Sequence, residues 1–208
     1  MFKAVIFDYG RVISLDPADE VQEEMARLAG VPGALFERIR MAYRGDYDRG
    51  SLRGREYYQK VMREAGVPVT NTRDFDVLAD RITLLDVHSW ARINGETEAL
   101  IHAIREVGYK AGVLSNMPHD FLENEPDVLR LFALCDPCIF SCRYNLIKPE
   151  PEIYRVLIDA LGCAPEEIVF FDDLPVNVEG ARNMGIKAYL WENAKSARDI
   201  LTGLGVLG

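Results

Sequence analysis

Two short, almost unbroken apolar runs lie far apart in the chain, and each ends in aspartate: Phe2-Lys3-Ala4-Val5-Ile6-Phe7-Asp8 and Ile168-Val169-Phe170-Phe171-Asp172-Asp173. A run of this kind, bounded by turn residues, reads as a strand covered on both faces, as in a parallel α/β sheet. In open sheets of that type ligands gather beyond the carboxyl ends of the strands, so aspartates at two strand ends are able to converge on one site. Converging carboxylates repel. The repulsion is relieved by a shared proton, by Lys or Arg, or by a hard cation with oxygen ligands such as Mg²⁺.

Between the two runs the hydrophobic period changes. After Tyr9-Gly10-Arg11, Asp16-Pro17 is expected to open a helix, with Asp as N-cap and Pro at the first helical position. Apolar residues follow at helical spacing through Val21, Met25, Leu28, Phe36, Ile39, Tyr57, Val61, Phe75, Leu78, Ile82 and Leu85, with no strand pattern among them. Residues 16–88 are therefore expected to be a helical domain inserted into a core built from 1–15 and 89–208. After Trp90, helices alternate with short strands at Ala111–Ser115, Cys138–Ser141, the run ending at Asp172, and Ile186–Trp191. That alternation implies right-handed crossovers and an α/β fold with a Rossmann-like parallel sheet.

The 208-residue chain is 49% hydrophobic and 27% charged, with a net charge of −9. So acidic a chain is a poor partner for nucleic acid or for an acidic membrane surface, both of which need a basic face. An anionic substrate must meet a local positive field. Met1 runs straight into a strand, without a signal or transit pattern, and no apolar run is long enough to span a bilayer, so a cytoplasmic location is expected. Cys135-x-x-Cys138 has the spacing of half a zinc site, but no second pair follows and no His lies near it. Cys138–Cys142 also reads as a buried strand of free thiols.

The strand ends carry the chemistry: Ser115-Asn116 after one strand, Lys148 after another, Asp172-Asp173 after a third, and Asp8 after the first. A carboxylate nucleophile, hydroxyl and amide donors, a fixed cation and an acid pair are what phosphoryl transfer requires. In this order the chain resembles the haloacid dehalogenase superfamily, whose four motifs match Phe7-Asp8-Tyr9-Gly10, Leu114-Ser115-Asn116, Lys148-Pro149, and Phe171-Asp172-Asp173 through Asn177 and Gly180-Ala181. The helical insert falls where subclass I members carry an α-helical cap. The resemblance implies a phosphatase acting on a small phosphorylated metabolite, as a monomer or homodimer. Asp8 would attack phosphorus and form an aspartyl-phosphate. Mg²⁺, with Mn²⁺ or Co²⁺ able to substitute, would be held by Asp8, the carbonyl of Gly10, Asp172 and Asp173. Ser115, Asn116, Lys148 and Arg11 would bind the phosphate or the leaving group, and Asn177 would support the acid pair.

One position departs from the pattern. Most phosphatases of this superfamily carry a second Asp two residues after the nucleophile as general acid and base, and Gly10 stands there. A positioned acid contributes about 10²- to 10⁴-fold, chiefly for poor leaving groups. The chain thus looks like the α-D-glucose-1-phosphatase branch, and sugar 1-phosphates or activated phosphoesters are the expected substrates. Two alternatives stay open. One is a 2-haloacid dehalogenase, although those enzymes lack the paired acids. The other is a weakened site that binds a phosphorylated ligand without turnover. Tyr43, Tyr47, Tyr57 and Tyr58 either line the underside of the insert or pack in its core. Asn177 either orients the acids or caps a helix. Asp173 is equally placed to partner Lys148. Hinges are expected near Leu15 and Trp90.

Overall fold

Strand β1 (Ala4–Phe7) is fully buried and lies in the middle of a five-stranded sheet of order β3-β2-β1-β4-β5, every pair parallel. The computed structural model describes all residues, Met1–Gly208. In chain order, β1 is followed by helices α1 (Asp19–Ala29), α2 (Gly33–Arg49), α3 (Gly54–Glu64), α4 (Thr72–Ser89) and α5 (Gly95–Glu106). Then come β2 (Lys110–Ser115), α6 (His119–Asn124), α7 (Pro126–Phe132), β3 (Cys138–Phe140), the short α8 (Ser141–Tyr144) and α9 (Pro151–Leu161). Strand β4 (Ile168–Asp172), α10 (Pro175–Asn183), β5 (Lys187–Leu190) and α11 (Ala194–Gly203) complete the fold.

Both faces of the sheet are covered, which is why its strands are apolar without alternation. Val5 and Phe7 pack in one apolar cluster with Val113, Val169 and Phe171, under α5 and α11. Ala4 and Ile6 face the other way, into a cluster with Leu114, Phe170, Leu157 and Val178, under α9 and α10. At Gly112 in β2 a Cβ would stand 2.7 Å from Ile6 Cδ1 and 2.7 Å from the Pro137 carbonyl oxygen, so only glycine lets these layers meet.

Helices α1–α4 have an apolar cluster of their own. Tyr47, Tyr57 and Tyr58 are each 0% exposed within it, and the Tyr47 and Tyr57 rings stack at 4.4 Å. These tyrosines therefore belong to the core of the insert. Tyr43 sits at its edge with its hydroxyl on Glu64. The expected helix start at Asp16-Pro17 is not what forms: α1 begins at Asp19 with Ala18 as N-cap and no side-chain cap. The Asp16 carboxylate is taken instead by Arg11 Nε at 2.8 Å, which removes it from the helix end.

Two seams join the insert to the sheet. At one, the connecting segments run side by side: Ser14 bridges to Ile93, with Leu15 N donating to the Arg92 carbonyl at 2.7 Å. At the other, the end of α2 and the start of α3 reach the loops beyond the strand ends. Arg49 Nη1 donates to the Asn145 carbonyl at 3.0 Å and to Glu150 at 2.9 Å, and Gly54 N donates to Asp120 at 2.9 Å. His88 meets Glu125 nearby.

Candidate active site

The parallel register sets the site. Asp8 directly follows β1, its N–H donating to the Phe171 carbonyl at 2.9 Å, and Asp172 ends the neighbouring β4. Ser115 ends β2 on the other side. Lys148 arrives on the loop after α8, and its side chain is 0% exposed. Its ammonium is fully used: Nζ lies 2.8 Å from Asp8 Oδ1 and 2.6 Å from Asp172 Oδ2, and donates to the Leu114 carbonyl at 2.9 Å. Asp172, rather than Asp173, is thus the second partner of Lys148.

Neighbouring side chains hold these groups in place. Asn116 clasps the backbone of Lys148 at two points, accepting from its N–H at 2.8 Å and donating to its carbonyl at 3.0 Å. Asn177 is inside α10 and not at its cap, which is Leu174. Its Nδ2 donates to both oxygens of Asp172, at 3.0 and 3.2 Å, while Leu174 N donates to Oδ1 at 2.9 Å. The Asp172 carboxylate is therefore tightly fixed. Arg11, with φ +59°, stands at the mouth, half-exposed, between Asp16 and Asp173. Its Nη1 is 3.7 Å from Asp173.

One ammonium faces three carboxylates here, and their ligand oxygens lie within 4.8 Å of one another. Burial is the largest influence on Asp8; Lys148 opposes it, Asp172 adds to it, and the carboxyl is pushed up to about 7. Burial also raises Asp173, with Asp172 next in weight. For Lys148 burial works against the charge, yet Asp172 and Asp8 together outweigh it and the pKa is raised. The lysine is charged, and negative charge is left over. A concentrated, buried set of hard oxygen donors with surplus negative charge fits a small divalent cation of the Mg²⁺ kind.

A cavity of about 240 Å³ opens over Asp8, and it is lined by Ser115, Asn116, Lys148 and Asp173 as expected. It is also lined by residues that sequence reading passed over: Arg40, Arg44 and Asp48 of α2 and Asp86 of α4, with Trp90 and Phe121 on an apolar wall. The available signal was a run of charges at i, i+4 and i+8 on a helix whose other residues build a core. The four cysteines are free, and Cys138 Sγ donates to the carbonyls of Phe132 and Cys135. No helix is long and apolar enough to cross a membrane.

A family model described as a haloacid dehalogenase-like hydrolase matches residues 2–185. The chain is similar to Phosphatase MT3486 of Mycobacterium tuberculosis, 27% identical over 210 residues, which cover 99% of this chain and 94% of that protein. It is also similar to (S)-2-haloacid dehalogenase 4A of Burkholderia cepacia, 23% identical over 192 residues, covering 88% and 80%. Among solved structures, a HAD family enzyme of Bacteroides thetaiotaomicron in complex with magnesium and inorganic phosphate superposes with a TM-score of 0.68. It is 20% identical, with 92% of this chain and 95% of that one covered.

Proposed function

The chain belongs to the haloacid dehalogenase-like hydrolases, and on that premise we propose that it is a Mg²⁺-dependent phosphatase of small phosphate monoesters that works through an aspartyl-phosphate on Asp8. The observation that carries this reading is the buried set of Asp8, Asp172 and Asp173 around a single charged Lys148. Asp8, the Gly10 carbonyl, Asp172 and Asp173 are the groups to hold the cation; Mn²⁺ shares the preference for such oxygens, and Co²⁺, a borderline ion, accepts them too. When bound, the cation supplies the positive charge that lets a carboxylate approach a phosphate dianion.

The protein's own groups do the rest. Asp8, held at Oδ1 by Lys148, presents its other oxygen as nucleophile. Ser115 and the Asn116 backbone receive the phosphoryl oxygens, and Lys148 offsets their charge. Asn177 and the Leu174 N–H keep Asp172 from turning away. With Gly10 in place of a general acid, leaving groups that depart with little protonation are favoured, sugar 1-phosphates among them. Residues 16–88 act as a cap on the core of 1–15 and 89–208, and its motion about the segments near Leu15 and Trp90 shuts water out during transfer. Such work on a small phosphorylated metabolite suits a cytoplasmic enzyme.

The acid pair also weighs against the dehalogenase alternative, since two adjacent carboxylates serve a cation and have no role in displacing halide. Mg²⁺-dependent turnover of p-nitrophenyl phosphate, falling at least 10³-fold in Asp8→Asn, is the expected result. Turnover that survives in Asp8→Asn, or in EDTA, overturns the reading.

A further inference from the structure

The cap side of the cavity carries more buried charge than a lid over a phosphate site requires. Arg40 and Asp86 are only 6% and 3% exposed, and burying ions this deep costs several kcal/mol each unless hydrogen bonds satisfy them. They are only partly satisfied. Arg40 spends Nε and Nη2 on Glu37, at 2.7 and 3.0 Å, and Arg44 gives Nε to Asp48 at 2.8 Å. Asp86 stands between the two guanidiniums at long range, 3.7 Å from Arg40 Nη1 and 3.4 Å from Arg44 Nη1. A carboxylate offers about four lone-pair sites. Asp86 fills them with one weak contact, while Arg40 Nη1 and Arg44 Nη2 keep N–H groups unspent.

Charge decides what belongs there. Two guanidiniums are set against the carboxylates of Glu37, Asp48 and Asp86, which leaves the group slightly negative. A second anionic group on the substrate would meet repulsion as well as attraction. A hydroxyl needs no charge balance, because it donates its proton to a carboxylate while its oxygen accepts from an arginine. Carboxylate acceptors on α2 and α4, interleaved with guanidinium donors on α2, offer both kinds of partner to the hydroxyls of one carbon skeleton. The apolar faces of Trp90 and Phe121, which line the same cavity, suit the C–H surface of that skeleton.

We propose that Asp86, together with Arg40 and Arg44, reads the hydroxyls of a neutral polyhydroxy leaving group, so that the enzyme selects phosphate monoesters of sugars or polyols over those of acids. The proposal rests on the phosphatase reading above. It adds the residues that set specificity and a class of substrate that is refused.

The test compares kcat/KM of the enzyme with Mg²⁺ on glucose 1-phosphate, glucose 6-phosphate, phosphoglycolate, 3-phosphoglycerate and p-nitrophenyl phosphate. The wild type is expected to favour glucose 6-phosphate, whose leaving group is a primary alcohol with no carboxylate, over both phosphorylated acids at least tenfold. In Asp86→Asn and Arg44→Met the ratio of glucose 1-phosphate to p-nitrophenyl phosphate should fall at least tenfold, mainly through KM, with a smaller fall in Arg44→Lys. Equal or better turnover of the acids by wild type overturns the proposal, as does an unchanged ratio in variants that melt cooperatively. Should the variants not fold, the wild-type panel alone decides. A wild type inactive even on p-nitrophenyl phosphate instead sinks the phosphatase reading on which the proposal stands.

Discussion

Replacing Lys148 by Met tests how the site balances its charge. The substitution keeps most of the aliphatic stem and deletes an ammonium that touches Asp8, Asp172 and the Leu114 carbonyl. Two carboxylates, one of them 0% exposed, are left without their cation. Breaking a buried pair from one side costs about 3–5 kcal/mol. Relief is available through protonation, and that sets a ceiling: neutralising a carboxyl of ordinary pKa, about 3.9, at pH 7 costs about 4 kcal/mol at about 1.4 kcal/mol per unit. A loss of about 3–4 kcal/mol at pH 7.5 in EDTA is therefore expected.

The sign of the pH dependence follows from proton counting. Above about pH 7 the native variant holds about one more proton than the native wild type, in which Lys148 supplies the charge. The unfolded chains titrate alike. As pH falls the deficit should shrink, by up to about 1.4 kcal/mol per unit. Wild-type Asp8, with its carboxyl raised to about 7, takes up its own proton through the same range, so most of the narrowing falls above about pH 6 and comes to about 1 kcal/mol. Urea midpoints for wild type and variant at pH 7.5 and 5.5, with the slope m checked for constancy, measure it. A deficit under about 1 kcal/mol at pH 7.5, or one that does not narrow at pH 5.5, would refute the reasoning.

Three further outcomes are expected. In Gly10→Asp the new Cβ meets only Trp90 Cζ3, at 3.5 Å, an ordinary contact, and kcat/KM on glycerol phosphate should rise about tenfold or more through restored proton transfer; no gain would show that Gly10 is not what limits alkyl esters. Asn177→Ala removes the Nδ2 donor to both oxygens of Asp172, and the Mg²⁺ concentration for half-maximal activity should rise about 10–100-fold, read by metal titration of p-nitrophenyl phosphate turnover. In Gly54→Ala a Cβ would stand 2.2 Å from Thr83 Cγ2 and 2.8 Å from Thr83 Oγ1; overpacking between α3 and α4 should cost about 1–3 kcal/mol, against little change in Gly33→Ala, where nothing lies within 4 Å.

The strands and the acids at their ends were legible because burial on both sides writes itself into unbroken apolar runs, as in β1 and β4. What those residues touch was not. Lys148 goes to Asp172 because the lysine comes in from the loop beyond β2 and β3, a matter of crossover geometry that no local pattern records. Asp16 had every local mark of an N-cap, yet a tertiary partner, Arg11, took its carboxylate. Asn177 was compatible with a cap as well as with orienting the acid pair, and it lies within α10, turned toward Asp172. The charged cap residues were hardest to see. Arg40 and Arg44 are ordinary helix-surface residues in sequence, and only the docking of α2 over the strand ends converts that surface into a cavity wall. Aromatic spacing alone left the tyrosines compatible with either face of the insert, and Tyr47, Tyr57 and Tyr58 took the core.

The strand order has a mechanical consequence. Asp8 rides on the innermost strand, gripped on both flanks, whereas Lys148 follows β3, a three-residue strand at the margin of the sheet. Four residues before α9 begins, the Ile147 N–H is tied at 3.1 Å to Glu150, the same carboxylate that Arg49 grips from α2. A tilt of α2 would thus pull on the backbone of the segment bearing the ammonium while Asp8 stays anchored in the sheet. On the proposed reading, opening and closing would load the Lys148 contacts first and leave the strand beneath Asp8 untouched.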